Sequence, residues 1–334
     1  MKKILLIWMW TAFLCGCQLH EEPELTADGE TGVDPTTVTL TANLALNINL
    51  SEKSAPRVTS NNSDYLHRFI VEAYLNRRPV KRQVIMEEIT DRTRLSLPVS
   101  MQLHARNYQL VVWSDYVKAD AQNEDLYYDT ESLVPLIPAH ASHTGNTEYK
   151  DAFAASVPVD LSNYRDQWNA EVPVNVELAR PVARYELIAN DVASFLRKAA
   201  KGEINGTQFT ARIKYSNYLS VGYNALDDIP KHSLMYMQYS KVFTLPAEGA
   251  TELTLGLDYV FVAAGEEVTY IPVEIEIVDE KSVTVANNVL RIPCTREKNS
   301  TVKGAFLTET SGNGIDFDPD YDGEVDLDVD IKPL

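Results

Sequence analysis

The chain has 334 residues, a formal net charge of −18 and 45% hydrophobic residues. A chain this acidic repels nucleic acid and anionic lipid surfaces, which excludes both as partners bound through charge. Its apolar content is sufficient for a buried core, and a length of about 300 residues corresponds to two domains.

The first sixteen residues have the pattern of a secretory signal peptide. Lys2 and Lys3 precede the apolar run ILLIWMWTAFL, which is shorter than the roughly 20 residues of a membrane-spanning helix. The run ends in Leu14-Cys15-Gly16-Cys17, with a small residue directly before the second cysteine. This order resembles the lipobox of bacterial lipoproteins, which implies that Cys17 carries the acyl chains of a membrane anchor. The alternative is an ordinary signal peptide followed by an incidental cysteine.

Residues 17–35 are predicted to be a flexible, lipidated tether, because the segment is too polar to fold. Glu21, Glu22 and Glu24 lie just behind Cys17. An acidic stretch at this place resembles the surface-export signal of Bacteroidota lipoproteins. The resemblance implies a protein that is lipid-anchored in the outer membrane and faces the cell exterior, with the periplasmic leaflet as the alternative.

Alternation of apolar and polar residues dominates the rest of the chain and predicts β-strands. From Val38 to Leu50 every second residue is apolar, a long pattern for one strand. Further strands are predicted in HRFIVEAYL, RLSLPVSMQL, YQLVVWSDY, VPVNVEL, ARYELIA, TARIKYS, TLGLDYVFVAA, VEIEIVD, VTVANNVLRIP, VKGAFLT and VDLDVDI. Turn-rich segments separate them without regular strand–helix alternation. The chain is therefore predicted to be all-β, built from antiparallel β-sandwiches.

One short helix interrupts the strands and helps to place the domains. It is predicted in NDVASFLRKAAKG, with Asn190 or Asp191 as its N-cap and Gly202 at its end. Pro181 interrupts two strand patterns just before this helix. We therefore predict a boundary near Leu178–Val182, with an N-terminal sandwich over residues 36–180 and a C-terminal sandwich over residues 181–334.

The sequence carries no catalytic signature, and we predict neither an enzyme nor a bound cofactor. It has no G-x-S-x-G, no Walker loop and no glycine-rich dinucleotide fingerprint. His140 and His143 are predicted to lie in a solvated loop, because no further His or Cys is near in sequence. Trp113, in an apolar run, is predicted to be core and Trp168, in RDQWNAE, to be exposed. Cys294 lies on the same side of its predicted strand as the apolar residues two and four positions before it. It is therefore predicted to be a buried, inert thiol.

The acidic C-terminus, DFDPDYDGEVDLDVD, is a weak candidate for a calcium loop. Asp318, Asp320, Asp322, Gly323 and Asp326 match positions 1, 3, 5, 6 and 9 of such a loop. Position 12 is a valine where a bidentate glutamate is needed. The alternative is a turn that leads into a last edge strand, whose outward aspartates oppose further pairing.

Several segments together resemble one bacterial family. They are the lipobox, the long first strand, YQLVVWSDYV, YKDAF, ELARPVARYELIA, LGLDYVFV and FDPDYDGEVDLDV. They resemble the fimbrillin-like surface lipoproteins of the Bacteroidota, of the FimA and Mfa type, over nearly the whole mature chain. The resemblance implies two transthyretin-like β-sandwich domains in tandem and a fimbrial subunit or anchor in adhesion. Its implied partners are the membrane, through the lipid, and other fimbrial subunits.

In polymerising members, the resemblance implies proteolysis after an arginine behind the first strand, and replacement of that strand by one from another subunit. Arg57, in the polar SEKSAPRVTSNNS, is the candidate for this cleavage. Val38–Leu50 has the pattern of a strand that fills a hydrophobic groove. The same strand fits a permanent place in its sheet, as in an anchor subunit. The alternative function is a surface module that binds a host or glycan ligand, or a protein, and does not polymerise.

Overall fold

The computed structural model describes residues 39–50, 58, 63–90, 94–265, 267–315 and 324–329. Its strands are β1 (Thr39–Leu50), β2 (Tyr65–Leu75), β3 (Arg78–Glu88), β4 (Arg94–His104), β5 (Asn107–Lys118), β6 (Tyr128–Asp129), β7 (Ile137–Pro138), β8 (Phe153–Asp160), β9 (Asn169–Leu178), β10 (Val182–Ala189), β11 (Gln208–Tyr215), β12 (Leu219–Asn224), β13 (Ile229–Leu234), β14 (Gln238–Thr244), β15 (Leu253–Phe261), β16 (Thr269–Asp279), β17 (Thr284–Cys294), β18 (Asn299–Gly304), β19 (Thr310–Ile315) and β20 (Glu324–Val329). The helix α1 (Val192–Ala200) follows β10, and short 3-10 turns cover Glu148–Lys150 and Ser162–Tyr164.

The N-terminal half is a sandwich of a three-stranded sheet, β4-β1-β9, and a four-stranded sheet, β3-β2-β5-β8. Their facing side chains form one apolar core, to which Leu44, Phe69 and Val112 belong. β1 is the middle strand of its sheet, antiparallel to β4 and parallel to β9. The first and last strands of this half are therefore neighbours, and the rest of the half forms the long crossover that a parallel pair requires.

The C-terminal half contains the sheets β15-β10-β18-β20 and β14-β11-β16-β17-β19 and the hairpin β12–β13. Its core includes α1, whose Phe195 ring meets Phe209 edge-on at 5.0 Å between centroids. Asp191 stands at the N-cap of α1 but makes no side-chain bond to the helix. Its carboxylate instead accepts hydrogen bonds from the backbone amides of Leu307 and Thr308, the latter at 2.8 Å. The predicted cap residue thus ties the helix to the segment after β18.

A further apolar cluster joins the two halves. Trp113, with no exposed surface, lies on the outer face of β5 and packs in a cluster with Tyr128 and Leu136 from the segment between β5 and β8. Val182 and Phe261 belong to the same cluster and come from the C-terminal half. The predicted core position of Trp113 is confirmed, and its core is the one between the halves.

The predicted all-β sandwich class with one short helix is confirmed, but the strand pairing and the set of strands differ from the prediction. Parallel pairs occur at β1 with β9, β10 with β18, β17 with β19 and β18 with β20. Eight strands lie outside the predicted segments: β3, β6, β7, β8, β12, β13, β14 and β19. Of these, β3 is an edge strand that is exposed along much of its length and lacks apolar alternation. The boundary near Leu178–Val182 stays a prediction. No helix in the described residues is long and apolar enough to span a membrane.

Candidate functional site

Strand β1 is the element that the sequence singles out, and the structure places it between β4 and β9. Its inward side chains are each at most 2% exposed: Leu40, Ala42, Leu44, Leu46 and Ile48. Leu46 lies level with Leu97 on β4 and Val174 on β9, so apolar residues of all three strands meet in rows. The alternating burial predicted for this strand is confirmed for the described side chains.

The burial makes β1 essential to the N-terminal half. A large aliphatic side chain contributes about 1.5–3 kcal/mol when it is buried, and four of the five inward residues are Leu or Ile. Loss of β1 would also leave the facing edges of β4 and β9 unpaired. Domains are stable by only about 5–15 kcal/mol. The sandwich therefore needs a strand at this position, its own or a substitute.

The chain behind β1 is held at Val58. This residue is 5% exposed and packs in a small apolar cluster with Ile89 and Tyr116. Arg57, the predicted cleavage residue, precedes it and lies outside the described residues. A protease binds residues on both sides of the bond that it cuts. Val58 must therefore leave its pocket before cleavage after Arg57, so this bond opens to a protease only by local unfolding.

The other predicted site residues are not brought together in the described part of the chain. Cys17, Asp318, Asp320 and Asp322 lie outside it. Asp326 belongs to β20, where its backbone lies level with Thr301 of β18 in parallel pairing. The described residues contain no group of three or more His, Cys, Asp or Glu that could hold a metal. The lipid attachment and the calcium loop remain predictions.

A buried polar network lies between the two halves, and sequence analysis missed it. Asp258 on β15 is fully buried and accepts hydrogen bonds from His143 and the Tyr215 hydroxyl, both at 2.5 Å, and from Lys150. Burial alone would raise the pKa of Asp258, but Lys150 and His143 reverse this and hold it well below its ordinary value. The prediction of a solvated loop is wrong for His143, whose side chain is only 10% exposed.

Two arginines extend this network. Arg180 donates through Nε and Nη2 to both oxygens of Asp151, at 2.7 and 2.8 Å, and its guanidinium lies 4.9 Å from the centre of the Phe153 ring. Arg184 donates through Nη2 to Glu148 at 2.7 Å. Both arginines are nearly buried, and fork-like pairing is the arrangement that offsets the cost of burying such charges.

Three of the segments that carry the family resemblance supply residues of this network. YKDAF supplies Lys150 and Asp151, ELARPVARYELIA supplies Arg180, and LGLDYVFV supplies Asp258. These segments are far apart in sequence, so their pairing has no local signal. The pair of Lys150 and Asp258 joins the two halves, whereas Arg180 and Asp151 pair within the N-terminal half, next to the junction.

Two features that suggest chemistry are closed or too small. Ser114 and His67 resemble a nucleophile and its base, with Oγ 2.5 Å from Nε2. Both residues are buried, so no substrate reaches the pair. Burial also lowers the pKa of His67 to about 3, which makes it a weak base. A cavity of about 40 Å³ beside Lys150 and Tyr259 has room for roughly three waters at about 10–15 Å³ each.

A family model described as "Family of unknown function (DUF6562)" matches residues 30–332 of the chain. The search of curated proteins found no match. Among solved structures, the chain is similar to the fimbrial anchor protein Mfa2 of Porphyromonas gingivalis, with 12% identity, a TM-score of 0.38, and coverage of 74% of this chain and 82% of that one.

Two more solved structures are similar to the chain. A fimbrial assembly protein of Parabacteroides distasonis shares 10% identity at a TM-score of 0.38, covering 83% of this chain and 93% of that one. A candidate cell adhesion protein of Bacteroides ovatus shares 13% identity at a TM-score of 0.42, covering 80% and 92%.

Proposed function

We propose a function for a chain that belongs to the family of unknown function DUF6562: it is a cell-surface lipoprotein that acts in adhesion as a fimbrial subunit or anchor. The observation that carries the proposal is the placement of β1. The strand fills the place between β4 and β9 while its inward face packs in the core, so a matching strand from another subunit could occupy the same position. An anchor would keep its own strand there, and a stalk subunit would exchange it.

The anchoring part of the proposal rests on the N-terminal sequence. Cys17 is the proposed site of lipid attachment, and the acidic segment behind it supports display on the outside of the outer membrane. The proposed partners are the membrane, through this lipid, and fimbrial subunits with the same architecture.

Limited proteolysis of the purified mature chain tests strand exchange. Trypsin is expected to cut slowly after Arg57, because Val58 must first leave its pocket. Cutting separates β1 from the rest of the chain, and the vacated groove should then capture a strand of another molecule. The expected readout is a ladder of high-mass species that resist SDS without boiling.

The matched control replaces both Lys53 and Arg57 by Gln, which removes the two trypsin sites between β1 and β2 and leaves β1 attached. This variant should give no ladder. A wild-type chain that is cut after Arg57 and stays a stable monomer would contradict strand exchange. The anchor, or a module that does not polymerise, would then describe the protein.

A surface module that binds a ligand is the second candidate function, and the exposure of Trp168 favours it. The predicted exposure of this indole is confirmed, with 81% of its surface accessible. Burying an aromatic ring is strongly favourable, so an indole left in water on a folded domain is a frequent contact point for ligands.

A further inference from the structure

We infer that the outer face of the β4-β1-β9 sheet, with Trp168 at its border, is a binding site for a neutral polysaccharide. A neutral polysaccharide would be the ligand in the proposed adhesive role. The inference rests on the proposed function only for this role, because the binding site is argued separately. The binding site itself is built from side chains that alternate with the core residues of the three strands.

The outer face carries amides and hydroxyls in two rungs, which a rung of Ala45, Pro98 and Pro173 separates. Asn43 lies level with Ser100 on β4 and with Glu171 on β9, and Asn47 lies level with Ser96 and Asn175. An amide or a hydroxyl is both donor and acceptor, as is every sugar hydroxyl. The face therefore offers the type of hydrogen bonding that a polyhydroxylated ligand uses.

Hydrogen bonds between the strands hold these side chains in place. The Asn43 amide donates to Asn169 Oδ1 at 2.7 Å and to Glu171 Oε1 at 3.0 Å, while Ser100 Oγ donates to Asn43 Oδ1 at 3.0 Å. Two rungs further, beyond Ala45, Asn47 donates to Asn175 Oδ1 at 3.1 Å. Side chains that are already ordered lose less entropy when a ligand binds, so the ladder favours affinity.

Donors remain available on this ladder. Asn169 and Asn175 accept through their oxygens, and within the described residues no hydrogen bond uses their amide NH₂ groups. Both side chains are exposed. Each therefore presents two N–H donors to a ligand lying across the sheet.

Trp168 adds an apolar surface at the end of the ladder. Its carbonyl accepts a hydrogen bond from the Thr41 amide at 3.0 Å, which fixes its backbone beside the start of β1. The next residue, Asn169, is in the first rung. An exposed indole stacks on the C–H face of a pyranose, while the neighbouring amides bond to its hydroxyls. An exposed aromatic ring and free amide donors, the two parts of a sugar subsite, are therefore carried by consecutive residues at the edge of this face.

Charge and composition select a neutral sugar polymer as the occupant. The chain has a net charge of −18, and on the face itself Glu171 and Glu177 outnumber Arg94, so anionic polymers are repelled. A stable protein partner would need an apolar centre. Trp168 is the one exposed large hydrophobic residue at this sheet in the described chain. From Asn169 to Glu177 the face extends about 26 Å, at about 3.3 Å per residue, which suits an extended chain of sugars.

Affinity electrophoresis of the purified, unnicked monomer tests the site. Native gels would contain a soluble mannan, a soluble β-glucan, a soluble galactan or, as the anionic comparison, polygalacturonate. We expect retention by at least one neutral polymer and none by polygalacturonate. Trp168→Ala should raise the dissociation constant obtained from the gel retardation about tenfold, as loss of an aromatic contact of about 1.4 kcal/mol does.

The matched control is Tyr236→Ala, which removes another exposed aromatic ring, 84% accessible, from the C-terminal half. It should bind like the wild type. Asn175→Ala should weaken binding without a change in melting temperature, because its side chain is exposed. Failure of all three neutral polymers to retain the wild type, or equal effects of Trp168→Ala and Tyr236→Ala, would overturn the inference.

Two results separate this inference from the proposed function. The binding assay uses a monomer that has not assembled, so its failure leaves the assembly ladder intact. Conversely, a chain that retains polysaccharide but never forms a ladder keeps the binding site and loses strand exchange. Loss of self-association, with unchanged retention, in Trp168→Ala would assign the face to contacts between subunits and overturn the polysaccharide site.

Discussion

At the scale of single residues, Asp258 shows how a buried charge is tolerated between the two halves. Its carboxylate is surrounded by Lys150, His143 and the Tyr215 hydroxyl. The Tyr185 hydroxyl lies 2.7 Å from that of Tyr215 and continues the network into the C-terminal core. Such an arrangement is stable only when complete, because removing one partner leaves a charge buried without compensation.

Lys150→Met tests this dependence. It keeps most of the side-chain volume but removes the charge that faces Asp258, so we expect a loss of about 3–5 kcal/mol in the free energy of unfolding. Urea denaturation measures it. Lys214→Met is the control, because Lys214 pairs with Glu276 on a more exposed sheet face and should cost at most about 1 kcal/mol. Equal losses in the two variants would contradict the role given to Lys150.

At the scale of elements, β1 combines two different faces. Its inward side packs with β4 and β9 against the second sheet, and its outward side provides the middle row of the asparagine ladder. Register therefore matters twice, since a slip of one residue would turn polar side chains into the core. Any strand that replaces β1 must reproduce its inner alternation.

A synthetic peptide tests this requirement. A peptide with the sequence of Val38–Leu50, added in excess to chain cut after Arg57, should occupy the vacated groove and suppress the high-mass ladder. In the control peptide, Leu44→Asn and Leu46→Asn place amides in the core, where each polar group without a partner costs about 1–3 kcal/mol. Native gels report the ladder. Suppression by both peptides would contradict filling of the groove by the apolar face.

At the scale of the whole molecule, the structure joins two β-sandwich halves through the Trp113 cluster and the Asp258 network. Apolar contacts supply attraction at this junction, and the paired charges give it orientation. Together they fix the orientation of one half relative to the other. The attachment of the molecule to a membrane is proposed to depend on the N-terminal lipid.

Cys17→Ala tests the attachment. Without the lipidated thiol, the chain should be released into the soluble fraction or remain an uncleaved precursor, as cell fractionation and immunoblotting would report. Cys15→Ala is the matched control, because it removes a nearby thiol and keeps Gly16-Cys17 intact. It should stay in the membrane fraction. A Cys17→Ala chain that matures and remains membrane-bound would contradict lipid anchoring.

The sequence by itself determined the features that depend on neighbouring residues. Alternation in Val38–Leu50 predicted which side of β1 is buried, and apolar flanks predicted the core position of Trp113. The spacing of apolar residues placed α1, although its N-cap residue Asp191 bonds outside the helix. The burial of Cys294 was predicted in the same way, and burial raises the pKa of its thiol. Period and composition suffice for such features, because a strand or helix presents its faces at fixed intervals along the chain.

Only the tertiary structure decided what depends on distant residues. His143 and Asp258 are separated by 115 positions, so no local pattern joins them. The parallel pairing of β1 with β9 arises from the path of the whole N-terminal half, and the exposed strand β3 has no apolar face to predict it. Burial of Val58 and the ladder from Asn43 to Asn169 also require the folded chain. Chain topology brings these groups together, and long-range contacts carry no local sequence signal.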